Sequence, residues 1–158
     1  MNTPPQNRQW FEIRAQAEDD SAPVEILIYD AIYDTGCEFW GGVCPPQFVA
    51  ATSPYRNHKV TVRINSPGGS VYAGTAIANY LRTFTNLSTV VDGIAASMAS
   101  LIFLAAPKER RSMGTATFLM IHEPWGISLG PASALEKDAA TLRKIGDEAA
   151  GVYAENSG

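Results

Sequence analysis

Apolar and polar residues follow two different spacings along this chain, and each spacing predicts one kind of element. Segments in which apolar residues alternate with polar ones, or form short runs, predict β-strands. These segments are 10–17, 24–29, 59–65, 87–92, 110–113 and 115–121. Apolar residues that recur every three or four positions, or cover all sides, predict helices over 45–53, 71–81, 97–106 and 131–156. Strands that alternate with helices are typical of an α/β fold with a substantially parallel sheet.

Length and composition fit a globular protein, with 158 residues of which 46% are hydrophobic and 18% charged. We expect a mobile tail over 1–9 and a single domain over 10–158. No apolar run is long enough to cross a bilayer and the first residues do not form a signal peptide, so we expect no membrane partner. The net charge is −4 and basic residues cluster only at 108–111, which argues against nucleic acid as a partner.

Two cysteines, Cys37 and Cys44, are separated by a spacing that matches neither a thioredoxin-like pair nor a zinc site. We therefore expect reduced, partly buried thiols, as in a cytosolic protein, and no metal.

Ser97 is the first candidate for chemistry, because it lies among small residues just after a predicted strand that ends at Gly93. It also stands near the start of the next predicted helix, where backbone N–H groups have no intrahelical acceptor. Ser97 could therefore be a nucleophile, with the N–H of Met98 helping to hold an oxyanion. A buried contact between small residues is the alternative interpretation.

A glycine pair and a histidine supply further parts of an acyl-transfer site. Gly68 and Gly69 follow a predicted strand, where a backbone without Cβ atoms can approach a substrate. An ordinary turn is the alternative there. His122 follows the last predicted strand, at the carboxyl end where sites gather in parallel sheets, although a purely structural histidine is an equal alternative.

Taken together, these segments resemble the Clp peptidase (ClpP) family, in particular the head-maturation proteases of tailed phages and prophages. The resemblance extends from about residue 24 to the end of the chain. It rests on Ile-Asn-Ser-Pro-Gly-Gly-Ser-Val at 64–71, Asp-Gly-Ile-Ala-Ala-Ser-Met-Ala-Ser at 92–100 and Met-Ile-His-Glu-Pro-Trp-Gly at 120–126. The continuation at 69–74 and the ending at 122–126 look more like the phage branch than the housekeeping peptidase.

The resemblance implies a ClpP/crotonase-like fold, with stacked β-β-α units and a long protruding C-terminal helix over 131–156. It also implies that Ser97 is the nucleophile, that His122 is the general base, and that the N–H groups of Gly68 and Met98 form the oxyanion hole. An extended substrate would pair as an added strand with residues near this site. These substrate-binding residues are Gly69, Ile127, Ser128 and Leu129.

The same resemblance implies a homo-oligomeric ring that acts on protein or peptide substrates, in the cytoplasm of a bacterial host or in a phage prohead. We expect no cofactor. Because the sequence has no nucleotide-binding loop, any use of ATP would belong to an ATPase partner.

The family's orienting acid lies after the long helix. Asp138, Asp147 and Glu148 lie within that predicted helix, and Glu123 would point to the opposite side of the strand from the histidine. We therefore assign no third catalytic residue and expect it beyond Gly158, so that the domain would lack its C-terminal part and have weak activity.

Two other functions stay open. A non-catalytic, ring-forming assembly module would use the same surfaces for packing alone. A Ser-Lys peptidase of the signal-peptide-peptidase type would need a lysine in a glycine-serine context, which none of the lysines has. These are Lys59, Lys108, Lys137 and Lys144.

Overall fold

A computed structural model describes residues 11–15, 22–37 and 41–157 of the chain. The predicted tail over 1–9 lies outside these residues, as does part of the predicted strand over 10–17. The chain forms two compact units, Met1–Met120 and Ile121–Gly158.

The first unit is built on a six-stranded sheet in its described part. The strands are β1 (Phe11–Arg14), β2 (Val24–Ile28), β3 (Lys59–Ser66), β4 (Asn86–Ala96), β5 (Arg111–Met113) and β6 (Phe118–Met120). They follow chain order from β1 to β5, and β6 pairs with β4 beyond the end of β5. β1 is antiparallel to β2, and the other pairs are parallel. The predicted α/β class with a mostly parallel sheet is confirmed.

Among the described residues, three α-helices lie in the connections between these strands: α1 (Pro45–Thr52), α2 (Val71–Leu81) and α3 (Met98–Phe103). Ser70 is the N-cap of α2, because its side chain accepts a hydrogen bond from the N–H of Ala73 at 3.3 Å. Such a bond satisfies one of the N–H groups that a helix start leaves without an acceptor.

The core draws on alternate residues of the central strands. Val60, Val62 and Ile64 of β3 are fully buried, as are Ile77 and Leu81 of α2. The period of two puts every second side chain of a strand on one face. Burial of each such side chain contributes about 1.5–3 kcal/mol, so this layer holds β3 firmly in place.

Strand β4 is longer than predicted, because it continues past Gly93 to Ala96. The register of β3 on β4 shifts just before Ser66, and the side chain of Asn65 lies in this irregularity. Its Oδ1 accepts the N–H of Ile94 at 3.2 Å. A β-carbon on Gly93 would lie 2.4 Å from the same oxygen, so Gly93 is a close-contact position inside the strand and not its end.

Helix α3 is shorter than the predicted segment 97–106. Ser97 has a φ of 52° and stands before the helix as its N-cap. Past the other end, the guanidinium of Arg111 donates to the carbonyls of Leu104 at 3.2 Å and Ala106 at 2.6 Å. These bonds satisfy two carbonyls that a longer helix would otherwise have satisfied. A 3₁₀ turn follows at Lys108–Arg110.

Cys37 and Cys44 form a disulfide bond, so the prediction of reduced thiols is wrong. The chain turns back between them and brings their Cα atoms to 6.0 Å, a separation that a disulfide spans. Two backbone hydrogen bonds hold this return, from the N–H of Val43 to Ala31 at 2.7 Å and from the N–H of Tyr33 to Val43 at 2.8 Å. Cysteine spacing alone does not reveal such a tertiary pairing.

The second unit contains an irregular segment, 121–131, and the long helix α4 (Ala132–Ser157). The helix agrees with the prediction over 131–156. The Ser128 hydroxyl donates to the Asp138 carboxylate, and a β-carbon on Gly146 would lie 3.3 Å from Pro124. Across the described residues of the whole chain, we find no helix with the length and apolar character needed to span a membrane.

Candidate active site

Ser97 occupies a sharp turn between the end of β4 and the start of α3. Its φ and ψ are 52° and −125°, a conformation that favours glycine and costs a residue with a Cβ atom about 1–3 kcal/mol. The Ser97 N–H donates to the carbonyl of Met120 at 2.8 Å, and the Ser97 carbonyl accepts the N–H of Ser100 at 3.0 Å. The half-buried Ser97 side chain is thus held on a turn that both neighbouring elements fix.

The backbone at Gly68 lies directly against this turn. A β-carbon on Gly68 would lie 2.8 Å from the Cβ of Ser97, 2.9 Å from the backbone nitrogen of Met98 and 2.4 Å from the carbonyl oxygen of Ala96. No side chain fits there, and Gly68 also has a φ of 86°. The glycine is therefore required by the close approach of two backbone segments as well as by its conformation.

Hydrogen bonds around the glycine pair determine which N–H groups face Ser97. The Gly68 N–H donates to the hydroxyl of Ser66 at 3.1 Å. The Gly68 carbonyl accepts the N–H of Ile32 at 2.9 Å, and the N–H of Ser70 donates to the carbonyl of Ile32 at 2.8 Å. In a trans peptide the C=O and the following N–H point in opposite directions. The N–H of Gly69 therefore points away from Ile32.

The N–H of Gly69 thus points toward the segment 95–98, because that segment lies on the other side of the glycine pair. The strand order β2, β3, β4 places Ile32 after β2, the glycines after β3, and Ser97 after β4. Met98 is the first residue of α3, and the first N–H groups of a helix have no acceptor within it. Two backbone N–H groups, those of Gly69 and Met98, therefore belong to the surroundings of Ser97.

A charged cluster ties β3 to β4 upstream of this site. The Nε atom of Arg63 donates to the Asp92 carboxylate at 2.8 Å, and the hydroxyl of Tyr29 donates to it at 2.5 Å. The hydrogen bond that Arg63 donates to Asp92 raises the pKa of Arg63. The pKa of Tyr29 is raised mainly by burial, and next by its hydrogen bond to Asp92. Glu25 lies 3.4 Å from the same guanidinium. The cluster therefore fastens β3 to β4 where the irregular register begins.

His122 belongs to the second unit and is exposed there. It lines an open cavity of about 590 Å³, together with Pro124 and residues of α4 that include Leu142 and Asp147. His122 therefore lines a groove between the irregular segment and the helix of the same unit. Asp147 belongs to α4, in agreement with its predicted position.

Ile127, Ser128 and Leu129 lie on the irregular segment of the second unit. Ile127 is 89% exposed and Leu129 is 93% exposed, so both apolar side chains are largely uncovered. The Ser128 hydroxyl is engaged with Asp138 of α4. This stretch of backbone forms no strand with the described residues.

The structure thus brings Ser97, Gly68, Gly69 and Met98 together in the first unit, and it places His122 and 127–129 in the second. Sequence reasoning missed Ser66, whose hydroxyl engages the Gly68 N–H; the Ser-x-Gly spacing of a side-chain turn was the available signal. Among the described residues, no group of three or more His, Cys, Asp and Glu side chains could hold a metal.

Comparison with known proteins decides the family. The model of the Clp protease family matches residues 24–158. The chain belongs to the Clp protease family. This match confirms the resemblance to the Clp peptidase family, and the mixed α/β sheet with a C-terminal helix is consistent with the ClpP-like fold.

Relatives of this Clp protease family member carry the name ATP-dependent Clp protease proteolytic subunit. The protein of Bacteroides fragilis is 39% identical over 100 residues, which cover 63% of this chain and 48% of the relative. That of Bacteroides thetaiotaomicron is 36% identical over 99 residues, covering 62% and 45%. That of Porphyromonas gingivalis is 32% identical over 136 residues, covering 84% and 61%. The chain spans about half the length of the first two relatives.

Proposed function

We propose that this Clp protease family member is a serine endopeptidase that forms an acyl-enzyme at Ser97. The observation that carries the proposal is the position of this residue on a strained turn, with a glycine-only backbone segment packed against it. A non-glycine residue keeps such a conformation only where its surroundings impose it, and such positions cluster at functional sites.

The proposed reaction begins when the Ser97 oxygen attacks the carbonyl carbon of a peptide bond, while His122 accepts the hydroxyl proton. Backbone N–H groups stabilise the oxyanion of the tetrahedral intermediate. His122 then gives its proton to the leaving amine, and the C–N bond breaks to leave an acyl-enzyme. Water, deprotonated by His122, attacks this ester and releases the carboxylate product and Ser97.

We assign the oxyanion donors to Met98 and Gly69. The prediction from the sequence used Gly68 in place of Gly69. The Gly68 N–H, however, already donates to the Ser66 hydroxyl, whereas the N–H of Gly69 points to the side on which Ser97 lies. Gly68 keeps a steric role in this proposal, because it allows the close approach.

The substrate proposed is an extended peptide that pairs with the backbone of 127–129 as an added strand. The exposure of Ile127 and Leu129 supports a surface that a substrate covers.

We also propose that the active form is a ring of several copies of this chain. The names of the relatives suggest an ATPase as a partner. The sequence at 69–74 and 122–126 supports, at a finer level, a phage or prophage capsid-maturation protease.

The decisive test is labelling with a fluorophosphonate probe, which attaches to an activated serine oxygen. We expect labelling of the wild-type protein and its complete loss in Ser97→Ala, together with loss of peptide cleavage. Ser88→Ala is the matched control, since Ser88 lies on β4 away from the turn. His122→Ala should slow labelling by about 10²–10⁴-fold, because general-base assistance is lost.

Three outcomes would contradict this function. Undiminished labelling of Ser97→Ala would exclude Ser97 as the nucleophile. Activity that survives His122→Ala but not replacement of one lysine would favour a Ser-Lys peptidase. A stable ring of wild-type protein that neither reacts with the probe nor cleaves peptides would favour a non-catalytic assembly module.

A further inference from the structure

We propose that Ser66 is a positioning residue whose hydroxyl sets the direction of the Gly69 N–H and thereby forms the oxyanion site. The inference rests on the proposed function, since it assigns Gly69 as an oxyanion donor. Ser66 itself does not touch the reacting atoms. It acts on them through the backbone of Gly68.

The Ser66 side chain lies at the end of β3 and is 0% exposed. Its hydroxyl donates to the carbonyl of Asp30 at 2.7 Å and accepts the N–H of Gly68 at 3.1 Å. A serine that accepts the N–H two residues ahead forms a side-chain turn. One hydroxyl thus ties the chain after β2 to the turn after β3.

Two bonds then hold the Gly68 residue from opposite ends. Its N–H is held by the Ser66 hydroxyl, and its carbonyl is held by the N–H of Ile32. The Gly68–Gly69 peptide is trans, so the direction of the Gly68 carbonyl fixes that of the Gly69 N–H. With the carbonyl toward Ile32, the N–H points toward the side of Ser97.

The glycine pair makes this support necessary. Gly68 and Gly69 have φ values of 86° and 149°, and residues without a Cβ atom are the least restricted of all in φ and ψ. Without the hydroxyl, the buried N–H of the Pro67–Gly68 peptide would lose its acceptor. Rotation of that peptide toward another acceptor changes φ and ψ at Gly68, and this turns the adjoining Gly68–Gly69 peptide and carries the Gly69 N–H away from Ser97. The Ser66 hydroxyl therefore restricts the φ and ψ angles of a glycine pair that has few restrictions of its own.

The test compares Ser66→Ala with Thr89→Val. Thr89 is also 0% exposed, and its hydroxyl donates to a backbone carbonyl, that of Phe103, at 2.8 Å. Both variants therefore lose a buried hydroxyl that donates to a backbone carbonyl. Only Ser66→Ala also loses the hydrogen bond to the glycine turn. We expect Ser66→Ala to lower kcat on a peptide substrate by about 10- to 100-fold with KM within a factor of about two. Thr89→Val should keep both constants.

A second experiment compares the binding of two ligands, of which only one places a tetrahedral oxygen at the oxyanion site. A peptide boronate forms a tetrahedral adduct with Ser97 that places an oxygen at the oxyanion site, whereas a product peptide does not. Ser66→Ala should weaken the boronate by at least about 10-fold and leave product binding unchanged. Ser66→Cys, which keeps the side-chain size but forms weaker hydrogen bonds, should likewise weaken the boronate and leave product binding unchanged. It covers the case in which Ser66→Ala fails to fold.

The outcomes separate this inference from the function on which it rests. If the wild-type protein is not labelled by a fluorophosphonate, or if Ser97→Ala is, the proposed function fails. If labelling depends on Ser97 but both Ser66 variants react as fast as the wild type, only the role of Ser66 is overturned. Equal loss of kcat in folded Ser66→Ala and Thr89→Val would also overturn it, because the effect would then be one of stability.

Discussion

At the scale of single residues, Gly68 shows how a contact and a backbone angle together determine a residue type. We predict that Gly68→Ala lowers the rate of fluorophosphonate labelling by at least about 100-fold. The new methyl group would lie 2.4 Å from the Ala96 carbonyl oxygen and 2.9 Å from the Met98 nitrogen, so the two segments must separate. The φ of 86° adds strain of its own.

Gly151→Ala is the control for this change, because a β-carbon on Gly151 of α4 meets no atom within 4 Å. It should leave labelling unchanged and raise the free energy of unfolding slightly, since alanine favours a helix more than glycine does. Labelling of Gly68→Ala at the wild-type rate would show that the close approach to Ser97 is unnecessary.

The sequence predicts which residues gather at this site better than it predicts their bonds. The pattern placed Ser97 after one strand and the glycine pair after its neighbour, and parallel pairing brings such positions together. The partner of the Gly68 N–H could not be derived in the same way. A hydroxyl bonds over a short range, and whether Ser66 reaches Gly68 or another group depends on the carbonyl of Asp30, which arrives from a distant part of the chain.

At the scale of elements, the spacing of apolar residues predicts kinds of element more reliably than their ends. The prediction ended β4 at Asp92, next to Gly93, yet the strand continues to Ala96. Glycine inside a strand marks a site where another group approaches closely. The Asn65 side chain supplies an acceptor at the irregularity, and β6 pairs with the added residues. The prediction extended α3 to residue 106, but the helix ends at Phe103. The carbonyls of Leu104 and Ala106 accept hydrogen bonds from the Arg111 side chain, a tertiary contact that the local sequence does not indicate.

The disulfide between Cys37 and Cys44, which closes the loop before α1, leads to a prediction about the free energy of unfolding. Closing a loop of 7 positions in sequence removes unfolded-chain entropy equivalent to about 2 kcal/mol. We therefore expect reduction to lower the free energy of unfolding by about that amount, measured by urea denaturation with and without a reductant.

The double variant Cys37→Ser, Cys44→Ser serves as the control. Its unfolding midpoint should equal that of the reduced wild-type protein and should not respond to the reductant. An unchanged midpoint of the wild-type protein on reduction would show that the backbone pairing of Val43 holds this loop without help from the sulfur atoms.

At the scale of the whole molecule, the exposure of large apolar side chains supports the proposed ring. In the first unit, Phe118 on β6 is 68% exposed. In the second unit, Trp125 is 75% exposed, in addition to Ile127 and Leu129. Large exposed apolar side chains on each unit are typical of surfaces that bind another protein, and in the first unit the apolar edge strand β6 is a template for association.

We predict that Phe118→Glu lowers the oligomeric mass of the protein, because a carboxylate would be buried in a contact between copies. Sedimentation velocity at several concentrations measures the effect. Thr115→Glu adds the same charge at an exposed polar position and should leave the mass unchanged. A wild-type protein that sediments as a monomer at all concentrations would contradict the ring.

The order of elements in the whole chain was the most predictable property. Each predicted strand and helix has a counterpart among the described residues, and the family match confirms the class of fold. The period of apolar residues determines this order because it decides which side of each element is buried. The disulfide escaped prediction because the return of the chain depends on pairing between distant residues, as at Val43 and Ala31.

The strained turn at Ser97 has a consequence for how this position changes during evolution. Its φ of 52° and ψ of −125° favour glycine, so selection for a side-chain oxygen must act against a standing preference of the backbone. In a relative that no longer needs the reaction, glycine is therefore the replacement that relieves the turn, while alanine keeps the strain and loses the oxygen. We expect lineages that have lost activity to accumulate glycine at this position.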